Sequence, residues 1–191
     1  KCFPSSNRFV DLFAGSGVMS YKAMSEGYEV IANDLQPYSS AVLSSILCLP
    51  IENVFELITE LETVSEVELF SGDRQNYIED FKREQSFIKS MKSTNFQWEE
   101  YKEFCSSITL CDGTKTTIKE LIQSENWTLF LSYYRNTYFG VKQCAEIDFL
   151  RELSERLNDD LRGHLIASVI STLTYCVSST THLAQYLKPS S

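Results

Sequence analysis

The fold is decided by the stretch Arg8-Phe9-Val10-Asp11-Leu12-Phe13-Ala14-Gly15-Ser16-Gly17, near the start of the 191-residue chain. A short apolar run that ends in two closely spaced glycines predicts a buried strand that turns tightly into a helix. Residues 18–26 then predict that helix, and residues 28–32 predict a second strand. Residues 37–47, with Pro37 in the first turn, predict a second helix. A strand-helix-strand-helix order at this spacing predicts a parallel sheet and an α/β fold.

The middle of the chain has a different character. Residues 52–104 hold 13 acidic and 6 basic residues, so this segment carries −7 of the chain's net charge of −9. Apolar residues recur in it at roughly helical spacing, and the segment predicts an amphipathic, mostly helical insertion. The apolar residues at this spacing are Tyr77, Phe81, Ile88 and Met91.

The chain therefore divides into three predicted parts: a βαβ unit at 1–51, an acidic helical insertion at 52–107, and the remainder of the domain at 108–191. In the last part we expect short strands at 108–111 and 127–131 and an irregular aromatic segment at 133–140. Apolar stripes predict helices over 141–157 and 161–176.

Composition excludes several classes of protein. No apolar run approaches the roughly 20 residues that a membrane helix needs, so no membrane partner is expected. The six cysteines form no C-x-x-C pair and only two histidines are present, so no metal site is predicted. We interpret the cysteines as buried thiols of a protein in a reducing cytoplasm.

The glycine loop raises the question of its ligand. A dinucleotide fingerprint G-x-G-x-x-G would place a third glycine at position 20, and this chain has Ser20 there. The missing glycine makes NAD a weaker interpretation of the ligand, but NAD binding stays open.

A second pattern fits better. The segment from Asp11 to Gly17 resembles motif I of S-adenosylmethionine (SAM)-dependent methyltransferases, and its F-x-G-x-G form resembles that of the Dam-like N6-adenine DNA methyltransferases. Asn33-Asp34-Leu35-Gln36-Pro37-Tyr38 is similar to the segment after their second strand, and residues 133–151 and 181–188 resemble later parts more loosely. The resemblance covers about half of the chain, and residues 52–125 match nothing in it. It implies a Rossmann-like class I methyltransferase sheet, incomplete in this chain.

The resemblance also implies a cofactor site for SAM. Asp11 would receive the ammonium group, the backbone of the glycine loop would approach the methionine portion, and Phe13 would pack against the apolar stem. Asp34 would accept hydrogen bonds from both ribose hydroxyls, because a carboxylate has two acceptor oxygens. The predicted cofactor-binding residues are Asp11, Leu12, Phe13, Ala14, Gly15, Ser16, Gly17, Asn33, Asp34 and Leu35.

Basic and polar side chains in the later segments are candidates for contacts with DNA. Arg135 and Lys142 flank the aromatic stretch, and His182 lies in a polar segment. Each has an ordinary structural or surface role as its alternative. His164 is interpreted as structural.

A catalytic motif is missing. Adenine-N6 methyltransferases carry a D-P-P-Y-type motif, which accepts the hydrogens of the exocyclic amine and stacks on the flipped base. The four prolines of this chain include no adjacent pair. We therefore expect the chain alone to be inactive, with the motif expected after Lys188-Pro189 and supplied by missing sequence or by a partner subunit.

Two alternatives to this interpretation stay open. One is a methyltransferase-like scaffold or DNA-binding subunit that is not itself catalytic. The other is a different nucleotide-binding Rossmann enzyme. An acidic chain is also an unusual DNA binder, which favours a partner with a basic surface.

Overall fold

A computed structural model describes residues 7–48, 52–106, 118–123 and 127–177. These residues form two compact units: one lies within Lys1–Glu62 and Ser154–Ser171, and the other within Thr63–Leu153 and Thr172–Ser191. The division predicted at 51 and 107 stays a prediction. The strand expected at 108–111 and the segment 181–188 lie outside the described residues.

The first unit contains the predicted strand-helix-strand-helix order. Its elements are β1 (Arg8–Asp11), α1 (Val18–Ser25), β2 (Glu29–Ala32), α2 (Pro37–Leu47) and α3 (Glu52–Glu62). The parallel pairing of β1 with β2 confirms the βαβ prediction. In the described part of the chain the sheet has these two strands.

The two faces of this sheet differ in their surroundings. Phe9 and Asp11 are half-buried, and Asp11 is hydrogen-bonded to a side chain of α1, so α1 lies on their face. Val10 and Ile31 are register partners on the opposite face and are largely exposed. Parallel sheets normally bury both faces, so the exposure of Val10 and Ile31 is unusual for a sheet of this kind.

Helix α2 packs closely against α10 (Asp159–Cys176). A Cβ atom on Gly163 would lie 2.8 Å from the Cβ of Ser44, which shows how near the two backbones come. Beside this crossing, Nε2 of His164 lies 2.9 Å from the carbonyl oxygen of Cys48. His164 thus joins α10 to the end of α2, which agrees with its interpretation as a structural residue.

The second unit is helical, as the 52–104 segment predicts. Its elements are α4 (Glu66–Leu69), a 3-10 helix (Gly72–Tyr77), α5 (Ile78–Ser90), α6 (Trp98–Ser106), α7 (Ile118–Gln123), α8 (Leu129–Tyr133) and α9 (Val141–Ser154). Its core includes Phe81 and Phe104. Of the predicted apolar stripe, Phe81 is buried, but Ile88 and Met91 are exposed, so the stripe does not continue as a buried face to the end of the segment.

The strand predicted at 127–131 is wrong, since Leu129–Tyr133 is a short helix. The two oxygens of the Asp148 carboxylate accept hydrogen bonds from the backbone N–H groups of Phe130 and Leu131, each at 2.9 Å. These are first-turn donors that have no partner inside the helix. A five-residue apolar run fits a strand or a buried helix equally well, and the buried carboxylate decides between them.

A second carboxylate caps α9 in the same way. Glu84 accepts from the backbone N–H of Val141 at 2.6 Å and from that of Lys142 at 3.0 Å. At its other end α9 stops at Ser154, before the predicted residue 157. The side chain of Asn158 accepts from the N–H of Leu161 and so begins α10 instead.

The interpretation of the cysteines as buried thiols is wrong for two of them. Cys144 is buried, but Cys48 and Cys176 are exposed, and Cys105 is intermediate. Cys48 directly follows α2 and Cys176 is the last residue of α10, so both lie where a helix ends. None of the described helices is long and apolar enough to cross a membrane.

Burial of Asp148 gives the first prediction. Burial raises the pKa of this carboxyl to about 6 from an ordinary 3.8, against the lowering effect of the backbone hydrogen bonds. The folded state therefore binds this proton more tightly than the unfolded state, and the resulting stabilisation, present below pH 3.8, is lost as the pH rises through about 6. An Asp148→Asn variant has no proton to lose.

Chemical denaturation of both proteins across this pH range measures the effect. We expect the wild-type advantage in free energy of unfolding over Asp148→Asn to shrink by about 2–3 kcal/mol as the pH rises. Asp73→Asn, at an exposed aspartate, is the matched control for the chemical change. An advantage that stays constant or grows with pH would contradict the assignment.

Candidate cofactor site

The loop after β1 is bound to the end of β2 by backbone hydrogen bonds. The N–H of Asn33 donates to the carbonyl of Asp11 at 2.8 Å, and the N–H of Ala14 donates to the carbonyl of Asn33 at 3.0 Å. The Asn33 side-chain amide adds a longer contact, 3.4 Å, to the carbonyl of Leu12. Both strands therefore end side by side at one edge of the sheet, which is where ligands bind in parallel α/β folds.

Asp34 holds the glycine loop in place. Its Oδ2 accepts from the N–H of Gly15 at 2.8 Å, and its Oδ1 accepts from the N–H of Gln36 at 2.9 Å. The hydrogen bonds from Gln36 and Gly15, in that order of size, lower the pKa of this carboxyl. Asp34 therefore stays ionised at neutral pH with both oxygens facing backbone donors.

The two glycines of the loop serve different purposes. Both have positive φ, 52° at Gly15 and 77° at Gly17, a conformation that side chains disfavour. A Cβ on Gly17 would lie 2.9 Å from Cδ2 of the buried Leu43, whereas a Cβ on Gly15 would meet nothing within 4 Å. Gly17 is thus needed for packing against α2, and Gly15 leaves its backbone open to a ligand.

This difference predicts unequal effects of the same substitution. Gly15→Ala carries only the strain of positive φ, about 1 kcal/mol. Gly17→Ala carries a similar strain and also crowds Leu43, so we expect it to destabilise the protein by about 2–3 kcal/mol. Urea unfolding of both variants measures the difference, and equal losses would show that Leu43 moves away without cost.

Asp11 is positioned by a residue that the sequence analysis did not assign to the site. The hydroxyl of Ser20 donates to Oδ2 of Asp11 at 2.8 Å, and Ser20 is completely buried. Ser20 occupies the place of the third fingerprint glycine. The signal that could have found it is its polarity, since a buried hydroxyl at a packing position requires a partner.

Apolar side chains surround the loop and face outward. Phe13 is 89% exposed and Leu35 is 94% exposed, and Leu12, Val18 and Met19 are also exposed. Single exposed apolar residues are ordinary, but a group of them around a glycine loop is typical of a ligand or interface surface. The structure thus brings the predicted segments Asp11–Gly17 and Asn33–Leu35 to one edge of the sheet, with their aliphatic and aromatic side chains free.

The candidate DNA contacts are placed differently. The Arg135 side chain is only 11% exposed: it pairs with Asp80, donates to the carbonyl of Leu131 at 2.7 Å, and lies over the ring of Tyr77. Lys142 is exposed in the first turn of α9, and its Nζ lies 3.6 Å from Glu146. His182 lies outside the described residues. Arg135 is therefore used within its own unit, and Lys142 keeps an exposed charge.

No group of three histidine, cysteine, aspartate or glutamate side chains forms a metal centre in residues 7–48, 52–106, 118–123 and 127–177. The chemistry of the site instead comes from two carboxylates, Asp11 and Asp34, that stand on either side of a glycine loop. Negative charge at both ends of the loop favours a ligand with cationic and hydroxyl groups over one with a pyrophosphate.

A parallel βαβ unit with a glycine loop at its first turn is typical of α/β proteins that bind a cofactor. The chain matches the family of D12 class N6 adenine-specific DNA methyltransferases over residues 1–159 and belongs to that family. This confirms the resemblance found in motif I.

A curated relative points the same way. A type II methyltransferase, M.CviAII, from Paramecium bursaria Chlorella virus 1 is 37% identical over 59 residues, which cover 29% of this chain and 18% of the relative. The matched segment thus spans less than a fifth of that protein. No solved structure matches the chain.

Proposed function

We propose that the chain is the SAM-binding portion of a DNA adenine-N6 methyltransferase. It would hold the cofactor while a D-P-P-Y motif, supplied by sequence outside these 191 residues or by a partner subunit, presents a flipped-out adenine. The observation that carries the proposal is the glycine loop of an adenine-methyltransferase family member, held between two carboxylates at the ends of parallel strands.

The residues of the loop suit SAM group by group. Both oxygens of Asp34 accept backbone hydrogen bonds, and a carboxylate has about four lone pairs, so the group could also accept from the ribose hydroxyls. Asp11, oriented by Ser20, offers a carboxylate to the ammonium group. The backbone at Gly15 is open to the methionine portion, and Phe13 and Leu35 offer apolar surface to the stem and the adenine ring.

The cofactor would supply an electrophilic methyl group on its sulfonium, and the chain's own residues would supply binding and orientation. A fixed cofactor converts methyl transfer into a reaction between two held groups, provided that the attacking nitrogen is also held. Nothing in this sequence resembles the motif that orients an exocyclic amine, because no two prolines are adjacent. Orientation of the adenine is therefore assigned to the missing motif.

The complete sheet belongs to the same proposal. A Rossmann-like methyltransferase domain would continue the two described strands and cover the exposed face that carries Val10 and Ile31. The net charge of −9 is unsuited to DNA, so most phosphate contacts would come from the partner or the further sequence. Within this chain, Lys142 and His182 are the better candidates, and Arg135 is the weaker one.

A relative that is a type II methyltransferase supports a role in restriction-modification, with DNA as substrate and the cytoplasm as the site of action. A non-catalytic scaffold subunit is the alternative. The two proposals differ in whether SAM held by this chain is consumed when a D-P-P-Y-bearing partner is added.

Cofactor binding is tested by calorimetry with SAM. Asp34→Ala removes the ribose acceptor and the clamp on Gly15, so we expect affinity to fall about ten- to hundredfold, as for loss of hydrogen bonds to a charged group. Gly15→Val combines strain at positive φ with a branched side chain on the open backbone, and should abolish binding.

Asp73→Ala, at an exposed aspartate in the second unit, is the control and should bind like the wild type. Circular dichroism checks that each variant is folded. If both loop variants bound SAM as tightly as the wild type, the glycine loop would not be the SAM-binding site.

Catalysis is tested with adenine-containing duplex DNA and SAM labelled in its methyl group. The 191-residue chain alone should transfer no label above background, because nothing in it orients the N6 amine. Addition of a protein with an [Asp/Asn/Ser]-Pro-Pro-aromatic motif from the same source should restore transfer, and Gly15→Val should abolish it again. Turnover by the isolated chain would show that the acceptor or the catalytic residues are different.

A further inference from the structure

The first helix after the glycine loop contains a buried polar side chain that general packing does not require. Ser20 is 0% exposed and lies in α1, on the side that faces the sheet. In dinucleotide-binding folds this place is taken by glycine, so that helix and strand can pack closely. Here the position holds a hydroxyl whose hydrogen bond goes to a carboxylate at the end of β1.

We infer that Ser20 is a positioning residue for the cofactor: it holds the Asp11 carboxylate in the one orientation that receives the ammonium group of SAM. The inference rests on the proposed function and deepens it. It gives Ser20 a role that operates through Asp11 and not through contact with the ligand.

The geometry supports this role. The 2.8 Å bond uses Oδ2 of Asp11 and points it into the interior, toward α1. This bond does not use the other oxygen, Oδ1, and Asp11 is itself only half-buried. The backbone of Asp11 is fixed independently, since its carbonyl accepts from the N–H of Asn33. The Ser20 bond is therefore what sets the side-chain torsion of a residue whose main chain is already held.

Energetics favour the same conclusion. An aspartate side chain can turn between staggered rotamers, and an ion pair with a ligand loses affinity when that freedom must be given up on binding. A buried donor that selects one rotamer before the ligand arrives removes this loss. A hydrogen bond to a charged acceptor is also strong enough to impose the choice.

The test compares two ligands on the 191-residue chain. SAM carries the ammonium group. 5′-Methylthioadenosine has the same nucleoside with a methyl-bearing sulfur, but its sulfur is a neutral thioether where SAM has a sulfonium, and it has no amino-acid portion. We expect Ser20→Ala to weaken SAM binding on the order of tenfold and to leave methylthioadenosine binding unchanged. Ser25→Ala is the matched control, because Ser25 is an exposed serine of the same helix whose hydroxyl donates to the carbonyl of Lys22.

A double-mutant cycle separates positioning from packing. If Ser20 acts through Asp11, Ser20→Ala should have no further effect on SAM affinity in an Asp11→Ala background. If Ser20 is only structural, both ligands weaken together and the two substitutions add. Either of those results overturns the inference while the proposed function stands. A wild-type chain that binds neither ligand overturns the proposed function, and the inference with it.

Discussion

The hydrogen bond from the Gly15 amide to the Asp34 carboxylate is the interaction on which the site depends. It joins the turn after the first strand to the turn after the second, across 19 residues of sequence. The remaining bonds of the loop to the second strand lie at Asp11, Leu12, Ala14 and Asn33, and none of them involves Gly15. With the bond to Asp34, the glycine segment is fixed between the ends of the two strands, while the apolar side chains around it, Phe13 and Leu35 among them, stay exposed.

Carboxylates perform the corresponding task in the second unit. Asp148 binds the first-turn amides of α8, and Glu84 binds those of α9. Burial raises the pKa of both groups, most strongly at Asp148. Burial disfavours the charged form of each carboxyl. The helix N-terminus offsets part of this effect, because its unpaired N–H groups and its dipole both favour negative charge. Some of the acidity of the 52–104 segment is therefore structural rather than a solvated face.

The distribution of roles follows from these two arrangements. In the first unit the carboxylates of Asp11 and Asp34 lie at the edge of the sheet where both strands end. In the second unit the carboxylate of Asp148 is buried and that of Glu84 is half-buried, and their oxygens accept hydrogen bonds from the first-turn N–H groups of helices. The match to the adenine-specific DNA methyltransferase family covers residues of both units. The described part of the second unit is helical, and Lys142 is exposed on it in the first turn of α9.

Sequence by itself determined the βαβ unit almost residue for residue, because glycine, proline and strand periodicity are local signals. Helix α2 begins at Pro37 and ends at Leu47 as predicted, and Asp11 and Asp34 were recognisable from their place after each strand. Only the tertiary structure decided that residues 129–133 are a helix, that Arg135 turns inward, and that the Ser20 hydroxyl donates to Asp11. Each of these depends on a partner 9 to 55 positions away, namely Asp148, Asp80 and Asp11. A polar residue at a packing position, such as Ser20, indicates that a partner is needed. A hydrogen bond between distant residues leaves no periodic trace in the chain, so the local pattern does not say which residue that partner is.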